Sequence, residues 1–151
     1  MENAKRRLYV AYGSNLNLAQ MALRCPTAKV VGTATLRNWC LIFQGVGIIE
    51  RHKGGEVSVL GWEIQLEDEI ALDHYEGWPR MYRKESVRVR IDGKQVRAMV
   101  YIMNGERRLY APSNGYYNTI REGYVSAGFD LSVLQEAVKI SKNKEERFKW
   151  L

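Results

Sequence analysis

The sequence is poor in the residues on which metal sites and disulfide frameworks depend. Its 151 residues include only two cysteines and two histidines. Cys25 and Cys40 have neither metal-ligand nor redox spacing, which favours free thiols in a reducing, cytoplasmic location. His52 and His74 stand alone in the sequence, so a histidine metal site is not expected. We therefore predict a cytoplasmic protein that holds no metal ion.

Several familiar functional patterns are also missing. The sequence contains no P-loop, no G-x-G-x-x-G and no G-x-S-x-G motif. Ser14 has no histidine near it in sequence, so a serine hydrolase is weakly supported, although a distant partner stays open. No apolar stretch approaches the length of a membrane span, and none follows the basic N-terminus as in a signal peptide. We expect no membrane association.

The charge balance is basic but not concentrated. The formal net charge is +6, which by itself would suit a nucleic-acid partner. The densest basic groups lie far apart, at residues 5–7, 88–90, 107–108 and 139–149. Glu145 and Glu146 interrupt the last group, as is typical of a solvated helix face. The pattern predicts a basic, solvated surface and no nucleic-acid partner.

Length and hydrophobic patterning indicate the fold class. A chain of 151 residues can bury a core without disulfides, and we predict one domain spanning residues 1–151. Strands dominate the first two thirds and helices the end, which favours an α+β fold with a largely antiparallel sheet. After a first strand, we predict further strands over residues 28–36, 39–43, 57–64, 82–91 and 96–103, loops over 45–47 and 52–55, and helices over 17–24, 67–76, 114–124 and from 131.

The first strand ends in a distinctive turn. Residues 8–16 form an apolar run that stops at Gly13, Ser14 and Asn15. Such an ending predicts a buried strand followed by a tight turn. Backbone N–H groups in a turn of this kind often point at one spot and bind a carboxylate, a phosphate or a developing oxyanion. The alternative is an ordinary strand and turn with no binding role.

Glu76 is the best candidate for chemistry. It closes a predicted helix and lies between Tyr75 and Trp78, beside Gly77. Desolvation by aromatic neighbours raises the pKa of a carboxyl group, which suits it to proton transfer near neutral pH. The alternative is a glutamate that faces solvent at the end of an acidic helix.

The order of these motifs is more specific than any one of them. The first comprises Tyr12, Gly13, Ser14, Asn15 and Leu16, and the sequence Leu-Asp-His-Tyr-Glu-Gly follows about sixty residues later, at residues 72–77. Then come Tyr82-Arg83-Lys84 and, after a predicted hairpin, Pro112-Ser113 with Tyr116. In this order, and over about residues 8–134, the chain resembles the γ-glutamylcyclotransferase-like family, which includes γ-glutamylamine cyclotransferases and plant avirulence-induced proteins.

The resemblance implies a fold and a reaction. The fold would be α+β, a small mixed or antiparallel β-barrel with helices around it. The reaction would cyclise a small γ-glutamyl substrate to 5-oxoproline and release an amino acid or amine, with no cofactor. A homodimer is left open, and so is a protein of the same fold that binds a small ligand without turning it over.

The resemblance also implies roles for particular residues. Glu76 would be the general acid and base, and Tyr12, Gly13, Ser14, Asn15 and Leu16 would hold the glutamyl group. Tyr82 and Tyr116 would line the pocket, with Tyr117 as the alternative to Tyr116. The run Trp78-Pro79-Arg80 departs from the animal glutathione-pathway pattern, which leaves the leaving group open. Whether the loop amides would bind the α-carboxylate or the oxyanion is also left open.

Overall fold

The computed structural model describes residues 7–105 and 108–149, with side chains described as far as residue 144. Five strands and four α-helices form these parts of the chain, which confirms the α+β class. In order, they are β1 (Arg7–Ala11), a 3₁₀ turn (Ser14–Leu16), α1 (Leu18–Arg24), β2 (Lys29–Gln44), β3 (Val46–Ile64), α2 (Leu66–Glu76), β4 (Tyr82–Ile91), β5 (Lys94–Met103), α3 (Asn114–Ala127) and α4 (Leu131–Lys149).

The strands form one mixed sheet in the order β2-β3-β1-β5-β4. The central strand β1 runs antiparallel to β3 and parallel to β5, and the other neighbouring pairs are antiparallel. The expected mixed, largely antiparallel sheet is therefore confirmed. The word barrel describes it only loosely, because within the described residues β2 and β4 are edge strands and the sheet does not close.

The β2–β3 hairpin corrects three sequence-based expectations. The predicted strands over 28–36 and 39–43 are one strand, and the loop predicted at 52–55 lies inside β3. Asn38 adopts a φ of 70° at a shift of register, and its side-chain oxygen accepts the N–H of Gly54 at 3.0 Å. A β-bulge accommodates this shift of register. Asn38, Gly54 and Gly55 therefore lie within continuous strands and do not end them. The predicted loop at 45–47 shrinks to Gly45, which turns the chain with a φ of 71°.

The start and end of α2 and the turn between β4 and β5 follow rules that act over a few residues. The Asp68 carboxylate accepts the N–H of Gln65 at 3.0 Å at the start of α2, and α2 ends where Gly77 adopts a left-handed φ of 73°. Asp92 and Gly93 take positive φ values of 53° and 76°, as a two-residue hairpin turn requires. These local rules fix the end of α2 and the register of the β4–β5 hairpin, whose open end, at Tyr82 and Met103, reaches the site.

The core holds the last helices against the sheet. Fully buried side chains from strands and helices meet there, among them Phe43, Ile49 and Ile120. Helix α3 approaches the 3₁₀ turn closely at Gly123, where a Cβ atom would lie only 2.6 Å from the Cβ of Leu16. This contact fixes α3 beside the end of β1. None of the helices in the described part of the chain is long and apolar enough to cross a membrane.

Candidate active site

A cavity of about 400 Å³ lies where the end of β1, the start of β3, the end of α2 and the start of α3 meet. This volume falls within the range of small-molecule sites. The predicted site residues that line it are Tyr12, Gly13, Ser14, Asn15, Glu76, Tyr82 and Tyr116. Segments far apart in sequence therefore converge on one space.

Leu16 takes a different place from its predicted companions. Its side chain is fully buried and packs against Gly123 of α3. Its N–H donates to the carbonyl of Gly13 at 3.0 Å, inside the turn. Leu16 thus supports the loop from behind. Of the two neighbouring tyrosines on α3, Tyr116 lines the cavity, and Tyr117 packs partly buried against the core.

The loop after β1 presents two unused backbone donors. The turn consumes the N–H groups of Leu16 and Asn17, which donate to the carbonyls of Gly13 and Ser14 at 3.0 Å each. A 3₁₀ turn leaves its first N–H groups without internal partners. Within the described residues, nothing accepts the N–H groups of Ser14 and Asn15. They are suited to an anionic oxygen in the cavity.

Asn15 holds this loop in place. Its side-chain amide donates to the Tyr9 hydroxyl at 3.0 Å, and its side-chain oxygen accepts from Arg24. Its backbone carbonyl accepts the indole N–H of Trp62 at 3.2 Å. The residue is almost fully buried. Because every polar group of the side chain is tied to another element, the loop is preorganised before any ligand arrives.

Glu76 is the last residue of α2 and lies at the cavity wall. Burial raises the pKa of its carboxyl group from 4.5 to about 7, against the opposing effect of the Arg24 positive charge. No hydrogen-bond donor within the described part of the protein contacts the carboxyl group. Both protonation states are therefore populated near neutral pH, as proton transfer in two directions requires.

The tyrosines form neutral walls around the carboxyl group. Tyr116 accepts the N–H of Gly47 at 3.0 Å, and its oxygen would lie 3.3 Å from a Cβ at Gly13. Tyr12 donates to the carbonyl of Tyr101 at 2.7 Å. Burial raises the pKa of Tyr116 to about 12 and that of Tyr12 well above its ordinary value. Both stay protonated near neutral pH, so they shape the cavity rather than accept protons.

The structure adds residues that the sequence analysis did not select. Tyr9, Tyr75 and Tyr101 also line the cavity. The Arg24 guanidinium lies 3.5 Å above the Tyr75 ring, and the Tyr75 hydroxyl is 3.0 Å from that of Ser14. The signal in the sequence for the place of Tyr75 in the site is its position next to Glu76. Nothing in the sequence links Arg24 on α1 to a carboxyl group on α2.

A charged cluster lies behind the cavity. Asp73 accepts the Tyr101 hydroxyl at 2.6 Å and the Lys84 ammonium at 2.9 Å. Lys84 also pairs with Glu69 at 2.6 Å. These acids are satisfied by their neighbours, unlike Glu76. In the parts of the chain that the structure describes, no group of three or more His, Cys, Asp or Glu residues could hold a metal ion.

Comparisons with known proteins agree with this geometry. The sequence matches the family described as gamma-glutamyl cyclotransferase, AIG2-like, over residues 9–119. It is 29% identical over 150 residues to a human gamma-glutamylcyclotransferase, covering 90% of this chain and 79% of the human one.

Solved structures show the same likeness. The structure of a gamma-glutamyl cyclotransferase is similar with a TM-score of 0.78 at 29% identity, covering 91% of this chain and 89% of that one. A Bacillus subtilis protein gives 0.75 at 19% identity, covering 88% of this chain and 54% of its own, which shows a shared fold alone. Because the family match spans most of the sequence, the chain belongs to the gamma-glutamyl cyclotransferase, AIG2-like, family.

Proposed function

We propose that this protein is a γ-glutamylcyclotransferase that converts a γ-glutamyl amino acid or γ-glutamyl amine to 5-oxoproline and the free amino acid or amine. The observation that carries the proposal is Glu76, whose carboxyl pKa burial raises to about 7. Glu76 lines the same cavity as Ser14 and Asn15, whose backbone N–H groups are suited to an anionic oxygen. Family membership and the human relative named gamma-glutamylcyclotransferase support the same reaction.

The chemistry is an intramolecular aminolysis. The Glu76 carboxylate removes a proton from the substrate α-amine, whose nitrogen then attacks the γ-carbonyl carbon. A new C–N bond closes the five-membered ring, and the bond to the leaving nitrogen breaks as Glu76 returns the proton to it. One carboxyl group can serve as base and then acid when its pKa lies near the working pH.

The cavity also holds the substrate in a conformation that favours ring closure. Because the nucleophile is tethered to its own carbonyl, holding the chain folded removes much of the entropic barrier. Ser14 and Asn15 donate N–H groups to an anionic oxygen of the substrate, and Tyr82 and Tyr116 enclose its methylene groups. Tyrosine suits this task because it combines an apolar ring with a polar tip. No electron is transferred and no water is consumed, so the reaction needs no cofactor.

The test is product formation by the purified protein. We expect 5-oxoproline and the free amino acid or amine in equal amounts from a panel of γ-glutamyl amino acids and γ-glutamyl amines. Because the carboxylate is the base, kcat/KM should rise as pH rises through about 7, the pKa of Glu76. Binding of γ-glutamyl compounds with no 5-oxoproline would contradict the proposal and indicate a non-catalytic ligand-binding protein.

A further inference from the structure

The groups that the proposed reaction needs are carried by two different elements. The N–H groups of Ser14 and Asn15 belong to the 3₁₀ turn after β1, whereas Glu76 is the last residue of α2. Within the described residues, no backbone hydrogen bond joins this turn to the end of α2. The spacing between the loop donors and the carboxyl group therefore depends on side chains.

The Tyr75 hydroxyl provides a direct link between the two elements. It lies 3.0 Å from the Ser14 hydroxyl, and Tyr75 immediately precedes Glu76 on α2. Other side chains of residues 12–17 form hydrogen bonds with β1, β5, α1 and α3. Across the described parts of the chain, no second hydrogen bond joins residues 12–17 to residues 73–77, so this bond sets their separation.

Arg24 on α1 supports the same link from the other side. Its guanidinium carbon lies 3.5 Å from the centre of the Tyr75 ring. The same group donates to the side-chain oxygen of Asn15 and, at 3.2 Å, to that of Gln20. A planar guanidinium can stack on a ring and donate hydrogen bonds at once. One cation therefore contacts both the loop and α2.

Tyr75 is not held by the hydrophobic core. It is 46% exposed, although it lines the cavity. Its place is fixed instead by the Ser14 hydroxyl and the Arg24 guanidinium. A hydrogen bond at such an exposed side chain adds little to global stability, so its removal should change the geometry of the site more than the free energy of unfolding.

We propose that Tyr75 is a positioning residue for the cyclisation, and that its hydroxyl bond to Ser14 sets the spacing between the loop N–H groups and the Glu76 carboxyl group. The inference rests on the proposed function. It concerns the alignment of groups that act on the substrate, because a misplacement of about 1 Å can cost about a hundredfold in rate. Losing one of several contacts that hold this alignment should cost less, about tenfold.

Tyr75→Phe removes the hydroxyl and keeps the ring beneath Arg24. We expect kcat for 5-oxoproline release to fall by about tenfold, with KM changed by less than about threefold. The acid limb of the pH–rate profile should stay near pH 7, because the burial and the Arg24 charge that set the Glu76 pKa are both kept. Tyr110→Phe is the matched control, since Tyr110 is 44% exposed and lies outside the cavity lining.

A double-mutant cycle with Ser14→Ala tests whether Tyr75 acts through this bond. Ser14→Ala keeps the backbone N–H but removes the other hydroxyl. Burial raises the pKa of Tyr116, and hydrogen bonds with Gly47 and the Ser14 hydroxyl oppose the rise, so this variant loses a second contact and should be at least as slow as Tyr75→Phe. Adding Tyr75→Phe to it should lower kcat by less than about twofold, because the bond is already gone.

The outcomes separate the inference from the proposed function. An unchanged kcat in Tyr75→Phe, a loss carried by KM alone, a moved acid limb, or effects that multiply in the double variant would each overturn the inference, while 5-oxoproline release by the native protein would still support the enzyme. No 5-oxoproline from the native protein with any γ-glutamyl compound overturns the proposed function itself. A coupled loss of kcat, with thermal midpoints near the native value, supports both.

Discussion

Replacing Glu76 with glutamine tests the mechanism and its physical origin at once. Glutamine keeps the size of the side chain but can neither accept nor return the proton. General acid–base catalysis contributes about 10²–10⁴-fold, so turnover should fall by at least about a hundredfold. Binding of a γ-glutamyl ligand should persist, because Ser14 and Asn15 are untouched.

The same replacement should stabilise the protein at alkaline pH. The Glu76 carboxyl pKa is about 7 in the folded protein against an ordinary value of 4.5. The folded state therefore holds the proton more tightly than the unfolded state, and stability falls as pH rises through this window. At about 1.4 kcal/mol for each pKa unit, the loss is about 3 kcal/mol above pH 7. Glutamine carries no charge, so the variant does not lose this stability as pH rises.

The assay is denaturant unfolding of both proteins at pH 5 and pH 8, with 5-oxoproline release measured on the same preparations. The variant should gain up to about 3 kcal/mol on the native protein at pH 8 and little at pH 5. Glu136→Gln on α4 is the control, because this glutamate is exposed and should change neither quantity.

Two results would refute the reasoning. Near-native turnover in the folded Glu76→Gln protein would remove Glu76 from the chemistry. A variant that is inactive but gains no stability at pH 8 would show that the carboxyl group is not held in a desolvating environment. In that case the proton transfer would need another explanation.

Three further predictions concern the support of the site. Gly123→Ala should cost about 1–3 kcal/mol in unfolding free energy, since its Cβ would lie 2.8 Å from a backbone carbon of the 3₁₀ turn. Gly115→Ala on the same helix meets open space and should gain up to about 1 kcal/mol; equal effects would contradict the packing argument. Tyr116→Phe leaves the Gly47 N–H without its acceptor and should lower stability by about 1–3 kcal/mol, which thermal melts would detect. Arg24→Met removes the charge that opposes the raised carboxyl pKa, so the acid limb of the pH–rate profile should move above about pH 7, and an unmoved limb would count against this coupling.

Features that depend on a few consecutive residues could be predicted from the sequence. The left-handed glycine after α2 and the Asp92-Gly93 turn follow from rules that act over a few residues. The aromatic residues that flank Glu76 in sequence predict its raised carboxyl pKa. The resemblance to a family then placed the loop after β1 and Glu76 in one site, which single motifs could not do.

Features that depend on distant partners could not be predicted. Asn38 and Gly54 indicate a break when considered separately, but their hydrogen bond across the hairpin keeps β2 and β3 continuous. Leu16 is part of the predicted binding motif, yet its side chain packs against Gly123 and does not line the cavity. Arg24 acts on Glu76 only through the tertiary fold. The single domain and the absence of a nucleic-acid partner stay predictions, and a homodimer stays open.

The bond from the Gly47 N–H to the Tyr116 hydroxyl has a consequence for the order in which the protein is made. Glu76 and the sheet precede α3 in the chain, so a ribosome releases them before the wall that Tyr116 supplies. Until α3 docks, water reaches that side of the cavity, and the burial that raises the Glu76 pKa is incomplete. A contact between residues so distant in sequence carries a large loop-closure entropy, so it cannot form before α3 has been made. The nascent chain would therefore carry its acid group in an ordinary, unreactive state until synthesis has passed α3.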